Sequence, residues 1–487
     1  MDQSLFKIAL IRLEHNFQKY DFSNEHLGIG YLASVLRSRN LNVKIFDSCF
    51  SADVFEKVKN YSPNFIGYTA NFLNVQKTLD FNKRLNFSKK TFVCFGGPQA
   101  TFTAEDLIKY GKIDAVVIGE GEETLAELVA AVKNNKNLSS VKGIFYNKNG
   151  LPSFTGYRNS ITDLDKLPFP SREVLESDKT IKSARIISSR GCLYGCNFCT
   201  TPSVRKINPG KPYRERNPTK VVDEMELLYT KYKIKYFYFN DDLYFAKSSV
   251  TRKRAVRVAE EITKRNLDIN YKVEIRGDSV EPSEDREFIL KLIKSGLTTF
   301  FIGLESGSNE ELNYFGKGLS VTKNKETILF LKSLGAKVNL GKILFEPLTT
   351  WNDLELSLKI FHELGSCAQI LRRPNIKLEL FPGTILANEV IRKKNIVPSY
   401  KYYDYEFENV KIGEFYRSLS NSFQKTFPIL RKYFEEKSYG KISESLERKL
   451  NDTAYNFLIR NVFLGDGWDK EYFDKYIELF IEEINKI

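Results

Sequence analysis

Residues 189 to 199 read Ser189-Arg190-Gly191-Cys192-Leu193-Tyr194-Gly195-Cys196-Asn197-Phe198-Cys199, a C-x3-C-x2-C spacing directly after the β-type run IKSARIISS at 181–189. Three thiolates in one short loop can ligate three irons of a cubane; with no fourth cysteine nearby, the fourth iron stays open to a chelating molecule. A structural zinc site needs four closed ligands, and no His or Cys follows at finger spacing. Gly191 and Gly195 let the backbone turn tightly around an inorganic core. The loop therefore predicts a [4Fe-4S] cluster on Cys192, Cys196 and Cys199.

Toward the C-terminus the β-type runs continue as KYFYFND, NYKVEIR, TFFIGLES, AKVNLGKILF and IKLELF, each separated by an amphipathic helical segment. Six βα units over 181–385 predict a partial (β/α)6 barrel, in which the C-terminal ends of the strands carry the chemistry. Asn240-Asp241-Asp242 closes its second strand and Glu274 and Arg276 lie on the third. Gly303, Glu305 and Ser306 lie on the fourth, and Phe381-Pro382-Gly383-Thr384 ends the last. From 386 to 487 aromatic and charged residues recur at helical spacing, which predicts a small helical C-terminal domain.

Toward the N-terminus, FKIALIRL, NVKIFD, FIGYTA, TFVCFGG, AVVIG and GIFYN alternate with segments such as YLASVLRSR and TLAELVAAVKN. The alternation predicts an α/β fold, a doubly wound parallel sheet of Rossmann type over 1–149. Residues 150–180, rich in Pro, Gly and Ser, read as a linker. Glycines cluster where strands end or helices begin, at Gly28 and Gly30, Gly96-Gly97-Pro98, and Gly119-Glu120-Gly121. Such positions let a bulky ligand approach the backbone beyond the carboxyl ends of the strands.

The cysteine loop, with Phe198 before its last cysteine, resembles that of the radical S-adenosylmethionine (SAM) superfamily over 181 to about 385. The resemblance implies that SAM chelates the unique iron and is cleaved to methionine and a 5′-deoxyadenosyl radical. It implies a SAM pocket lined by Phe198, Asn240, Asp241, Arg276, Glu305, Ser306, Pro382 and Gly383. Arg276 is expected to pair with the SAM carboxylate and Glu305 to accept from its ammonium or ribose. A one-electron donor such as flavodoxin or ferredoxin is implied as partner.

Residues 1 to about 150 resemble the B12-binding domain placed before radical SAM barrels. That resemblance implies cobalamin held by Gly28, Gly30, Tyr68, Thr69, Asn71, Phe72, Gly96, Gly97, Pro98, Gln99, Gly119, Glu120 and Gly121. Neither His15 nor His26 sits in the DxHxxG motif by which some B12 domains place a histidine on cobalt, and His362 falls in a barrel helix. The lower face is therefore left to a residue of the loop Tyr68 to Phe72 or to water. Gln99 stands where many relatives have histidine in GGPH. The leading expectation is a cobalamin-dependent radical SAM methyltransferase that methylates cobalt with one SAM and uses a second to activate an unreactive carbon. Ring contraction or cyclisation without net methyl transfer uses the same parts. A tRNA methylthiotransferase would need three further N-terminal cysteines, where only Cys49 and Cys94 occur, and a cobalamin or redox sensor needs no open iron.

The 487 residues hold 42% hydrophobic and 13% aromatic side chains, enough for two or three cored domains. No apolar run reaches membrane-spanning length, and Lys7 and Arg12 interrupt the opening where a signal peptide would be apolar. Six cysteines, three within eight residues, are not a disulfide scaffold and suit a reducing compartment, so a cytoplasmic protein is expected. The formal charge of +13 comes from basic residues scattered along the chain rather than a nucleic-acid footprint. The basic stretches 205–216 and 252–257 read as solvated faces. A small molecule or peptide is the expected substrate. Cys49, Cys94 and Cys367 read as core or loop thiols, and Tyr402, Tyr403, Tyr405, Phe415 and Tyr416 as core or pocket.

Overall fold

The computed structural model describes residues 6–13, 25–87, 91–371, 377–394, 396, 403–438 and 443–486, so His15 and Tyr402 lie outside the described residues. The N-terminal strands are β1 (Lys7–Arg12), β2 (Asn42–Asp47), β3 (Phe65–Thr69), β4 (Phe92–Gly96), β5 (Ala115–Val117), β6 (Ile144–Lys148) and β7 (Leu151–Phe154). They form one sheet in the order β2-β1-β3-β4-β5-β6-β7. The strands from β2 to β5 are parallel, as their continuous Val/Ile/Phe runs require when both faces are covered. Separate cores lie on the two faces, one including Val58, Leu79 and Leu107, the other Ile29, Leu36 and Leu128. The strand order reverses between β1 and β3, which opens a crevice beyond their carboxyl ends.

Two expectations change here. The GIFYN segment is not a sixth parallel strand: β6 runs antiparallel to β5, and β7 returns on it through a turn with Asn149 and Gly150 at positive φ. The expected linker at 150–180 thus begins as a sheet strand, and its remainder is strapped to both sides. Ser171 N donates to Gly30 O at 3.0 Å, and the buried guanidinium of Arg172 pairs with Glu25 of the first domain and, at 2.7 Å, with Glu224 of the second.

The second α/β series comprises β8 (Ser183–Ile186), β9 (Ser189–Gly191), β10 (Tyr213–Glu215), β11 (Tyr236–Phe239), β12 (Asn270–Ile275), β13 (Leu297–Glu305) and β14 (Lys337–Lys342). Five of these form a parallel sheet in the order β14-β13-β12-β11-β8, while β9 and β10 make a separate antiparallel ribbon. The IKLELF segment is present as a parallel bridge from Lys377 to Phe345, which gives the sixth barrel position one residue of ladder. Along β12 the burial alternates, with Tyr271, Val273 and Ile275 in the core and Lys272 and Glu274 on the other face. The inward face of this strand is therefore polar, with Lys272 lying over the Tyr238 and Phe301 rings of its neighbours.

Helices Val410–Ser438, Glu444–Val462 and Lys470–Asn485 bear out the helical tail. Their apolar faces are not a separate core: Phe415, Phe457, Trp468 and Phe480 belong to the same hydrophobic cluster as the barrel. Tyr403, Tyr405 and Phe415 are buried, and Phe345 meets the ring of Tyr416 at 5.2 Å. No described helix is long and apolar enough to cross a membrane.

Candidate functional site

The ribbon of β9 and β10 launches the cysteine loop at Gly191, whose φ of +93° and close approach to Pro212 O exclude a side chain. Cys192, Cys196 and Cys199 follow as free, half-buried thiols, and Cys199 caps the helix Thr200–Ile207. Soft thiolates in one loop suit an iron-sulfur core. Among the described residues no three His, Cys, Asp or Glu side chains converge as a single-ion site. Burial pushes the Cys192 thiol up to about 11 and raises that of Cys199, with the neighbouring Asp242 carboxylate adding to each.

The residues expected around SAM fall into two groups. Phe198 meets the edge of Phe315 at 5.6 Å beside the cysteine loop. Asn240 lies at the end of β11 and accepts from Arg185 at 2.7 Å. Glu305 adopts φ +65° at a bulge in β13, a conformation rare for a side chain of its size, and faces the Lys317 ammonium at 3.2 Å. Glu274, pushed up chiefly by burial, accepts from no described donor on its side chain and faces the barrel interior.

The other group is engaged by the protein itself. Asp241, 1% exposed, accepts from Ser188 N at 2.8 Å, Ser188 Oγ at 2.5 Å and Ser189 Oγ at 2.6 Å, and sits 3.7 Å from Arg254. It fastens β11 to the strand that leads into the cysteines. Ser306 donates to Glu311 at 2.5 Å inside the turn after β13. Arg276 was expected to grip a carboxylate of SAM, but its fork is taken by Asp278 at 3.0 and 3.1 Å and by Lys317 O. Its guanidinium stacks over Tyr194 at 3.8 Å and reaches Cys196 Sγ at 3.4 Å, so it braces the cysteine loop. Pro382 and Gly383 form a joint between domains: Phe381 meets Phe72 at 5.0 Å, a Cβ on Gly383 would strike the Phe102 ring, and Gly383 O accepts from Ser203 at 2.8 Å.

A cavity of about 460 Å³ opens at the strand-order reversal and runs from the first domain to the helix behind the cysteines. Of the residues expected around cobalamin it is lined by Gly28, Tyr68, Thr69, Gly96, Gly97, Pro98, Gly119, Glu120 and Gly121. Thr200, Thr201 and Val204, immediately after Cys199, form its opposite wall. The remaining four lie outside the lining. Gly30 packs against Ser171 O, Asn71 caps its own turn by accepting from Leu73 N and Asn74 N, Phe72 meets Phe381, and Gln99 is buried. A volume of this size suits a drug-sized ligand. It would hold part of a corrinoid, and its apolar inner wall of Leu10, Phe95, Val117 and Leu125 would suit an aromatic base.

His26 also lines the cavity, where it caps the helix Leu27–Ser38 by accepting from Ile29 N at 3.2 Å. Burial, then Arg12 and Arg185, push its imidazole down to about 3, so it is neutral. Sequence reading also missed the clasp between the cavity and the cysteine strand. Arg190, two residues before Cys192, pairs with Glu120 at 3.3 Å and Glu122 at 2.5 Å, and Arg214 pairs with Glu120 at 2.9 Å. The basic stretches read as solvated faces are in part buried, Arg216 at 5% and Arg254 at 3% exposure.

Two family models match the chain: the B12 binding domain over residues 17–129 and the Radical SAM superfamily over 186–359. An uncharacterized methyltransferase from Pyrococcus horikoshii is 30% identical over 349 residues, 69% of this chain and 73% of that protein. An anaerobic magnesium-protoporphyrin IX monomethyl ester cyclase from Rubrivivax gelatinosus is 29% identical over 326 residues, and the alignment spans 56% of its length. Among solved structures, the cobalamin-dependent S-adenosylmethionine radical enzyme OxsB superposes with a TM-score of 0.80 over 99% of this chain and 80% of that one, at 18% identity, a likeness of fold.

Proposed function

Because this chain belongs to the radical SAM enzymes that carry a B12-binding domain, we propose that it transfers a methyl group to an unactivated carbon. Its cofactors are a [4Fe-4S] cluster, SAM and cobalamin, which together supply a carbon-centred radical and a transferable methyl group. The observation that carries the reading is the single cavity whose walls are the glycine loops of the first domain and Thr200, Thr201 and Val204 beside Cys199. One chamber shared by both halves is what transfer between two cofactors requires.

Each half is held by the chain's own residues. Cys192, Cys196 and Cys199 would ligate three irons, while Arg276 braces Cys196 and Tyr194. Asp242 accepts from Gly191 N at 3.0 Å and Thr201 Oγ at 3.2 Å, which fixes the two ends of the cysteine loop. Glu274 and Glu305, on the inner face of the barrel, would receive a SAM ammonium or ribose hydroxyl, and Lys317 faces Glu305 at 3.2 Å. The Glu120 and Glu122 pairs with Arg190 and Arg214 fix the distance between the cavity and the cysteine strand.

The Rubrivivax cyclase relative supports a second reading, ring closure or rearrangement without net methyl transfer. The products made from SAM by the reconstituted, dithionite-reduced enzyme separate the two. S-adenosylhomocysteine together with 5′-deoxyadenosine marks methyl transfer, whereas 5′-deoxyadenosine alone marks the second reading and overturns the first.

A further inference from the structure

The charged groups around the cavity do not cancel. Its lining holds four long cations, Arg190, Arg205, Lys211 and Arg214, and three carboxylates, Glu120, Glu122 and Asp242. Arg190 and Arg214 are consumed by Glu120 and Glu122. Asp242 is held by Gly191 N and Thr201 Oγ. The side chains of Arg205, half-buried, and Lys211, exposed, have neither a hydrogen bond nor an ion pair with any described residue, and both line the cavity.

The segment presenting them is fixed. Arg205 stands in the last turn of the helix that begins at the third cysteine. After it, Asn208 donates to Arg158 O at 3.1 Å and accepts from Glu120 N at 3.3 Å, and Pro209 O accepts from Ser160 N at 3.0 Å. Gly210 lies so close to Ser160 Oγ that a Cβ would meet it at 2.2 Å. Two uncompensated cations on a pinned turn, facing an apolar slot, fit a ligand with a flat apolar end and an anionic group.

We propose that Arg205 and Lys211 form a phosphate clasp on the barrel wall of the cavity. This rests on reading the cavity as the corrinoid site. Two sources share the chemistry, the phosphodiester of the cobalamin nucleotide arm and a phosphate borne by the substrate. A fork and an ammonium on one phosphate are each worth about tenfold in affinity or more.

The test measures binding of hydroxocobalamin and of cobinamide, which lacks the nucleotide and its phosphate, to wild type and to the Arg205→Gln, Lys211→Gln double variant, with circular dichroism confirming the fold. For the corrinoid source, wild type prefers cobalamin, the variant loses that preference at least tenfold, and cobinamide binding is unchanged. For the substrate source, the preference for cobalamin over cobinamide is the same in both proteins, while inorganic phosphate raises the melting temperature of the cobalamin-loaded wild type and not of the variant. Unchanged corrinoid affinities together with no phosphate effect on wild type overturn the clasp. Failure of wild type to take up either corrinoid overturns the cavity reading instead, and the phosphate arm, run on the corrinoid-free proteins, then decides the clasp alone.

Discussion

Asp241→Asn separates a residue that builds the site from one that touches SAM. The substitution keeps the size of the side chain and its acceptor for Ser188 N, but removes the charge beside Arg254 and turns an NH2 toward two serine hydroxyls. Asp241 is 1% and Arg254 3% exposed, so solvent cannot take over the lost charge. Breaking a buried, hydrogen-bonded pair by neutralising one partner costs about 3–5 kcal/mol. For a unit of barrel size each kcal/mol moves the melting temperature by about 2–4 °C, so the drop comes to about 6–20 °C. Thermal unfolding of the cofactor-free protein by circular dichroism reads it directly, and SAM affinity of whatever reconstituted variant remains folded at low temperature should stay within a few-fold of wild type. An unchanged melting temperature combined with lost SAM binding would refute the structural role and return Asp241 to the SAM pocket.

Replacing Cys196 with Ala should abolish cluster assembly, measured as iron and sulfide content, and with it 5′-deoxyadenosine formation; a variant that still cleaves SAM contradicts the ligand assignment. Arg276→Ala should slow SAM cleavage and change the electron paramagnetic resonance spectrum of the reduced cluster while hydroxocobalamin uptake stays intact, because its contacts are to Cys196, Tyr194, Asp278 and Lys317 O. Glu311 is raised to about 8 by burial and then by Asp353 and Glu346. A carboxyl with a raised folded pKa adds stability that is fully present below its unfolded value and lost as pH rises toward about 8. Unfolding followed from pH 5 to 8.5 should therefore show wild type losing stability more steeply than Glu311→Gln, and parallel curves would contradict the burial argument.

What the sequence disclosed was local. The cysteine loop, the β-type runs and the helical tail each carry their signal within a dozen residues, and nearly all appear within a residue or two of their expected bounds. The direction of β6 was hidden, since Ile144-Phe145-Tyr146 can pair with β5 either way. The 150–180 stretch read as a linker because Pro, Gly and Ser mask the residues that strap it down, among them Arg172, whose partners Glu25 and Glu224 lie 147 and 52 positions away. The same distance effect hid what Arg276 and Asp241 hold within the protein. Both stand at barrel strand ends as expected, and beside the local Asp278 the groups that hold them, Lys317 O for Arg276 and the Ser188-Ser189 pair for Asp241, are 41 to 53 positions distant. Strand-end position shows where a side chain is, and only the packed chain shows what it already holds.

The central claim is that cluster and corrinoid share one chamber in this chain. Anaerobic reconstitution with iron, sulfide and hydroxocobalamin, followed by desalting and ultraviolet-visible and electron paramagnetic resonance spectroscopy with SAM and dithionite, tests it most directly. Stoichiometric corrin with a base-off Co(II) signal, beside a reduced cluster whose spectrum SAM perturbs, is the predicted result. A SAM-responsive cluster in a protein that retains no corrin would contradict it.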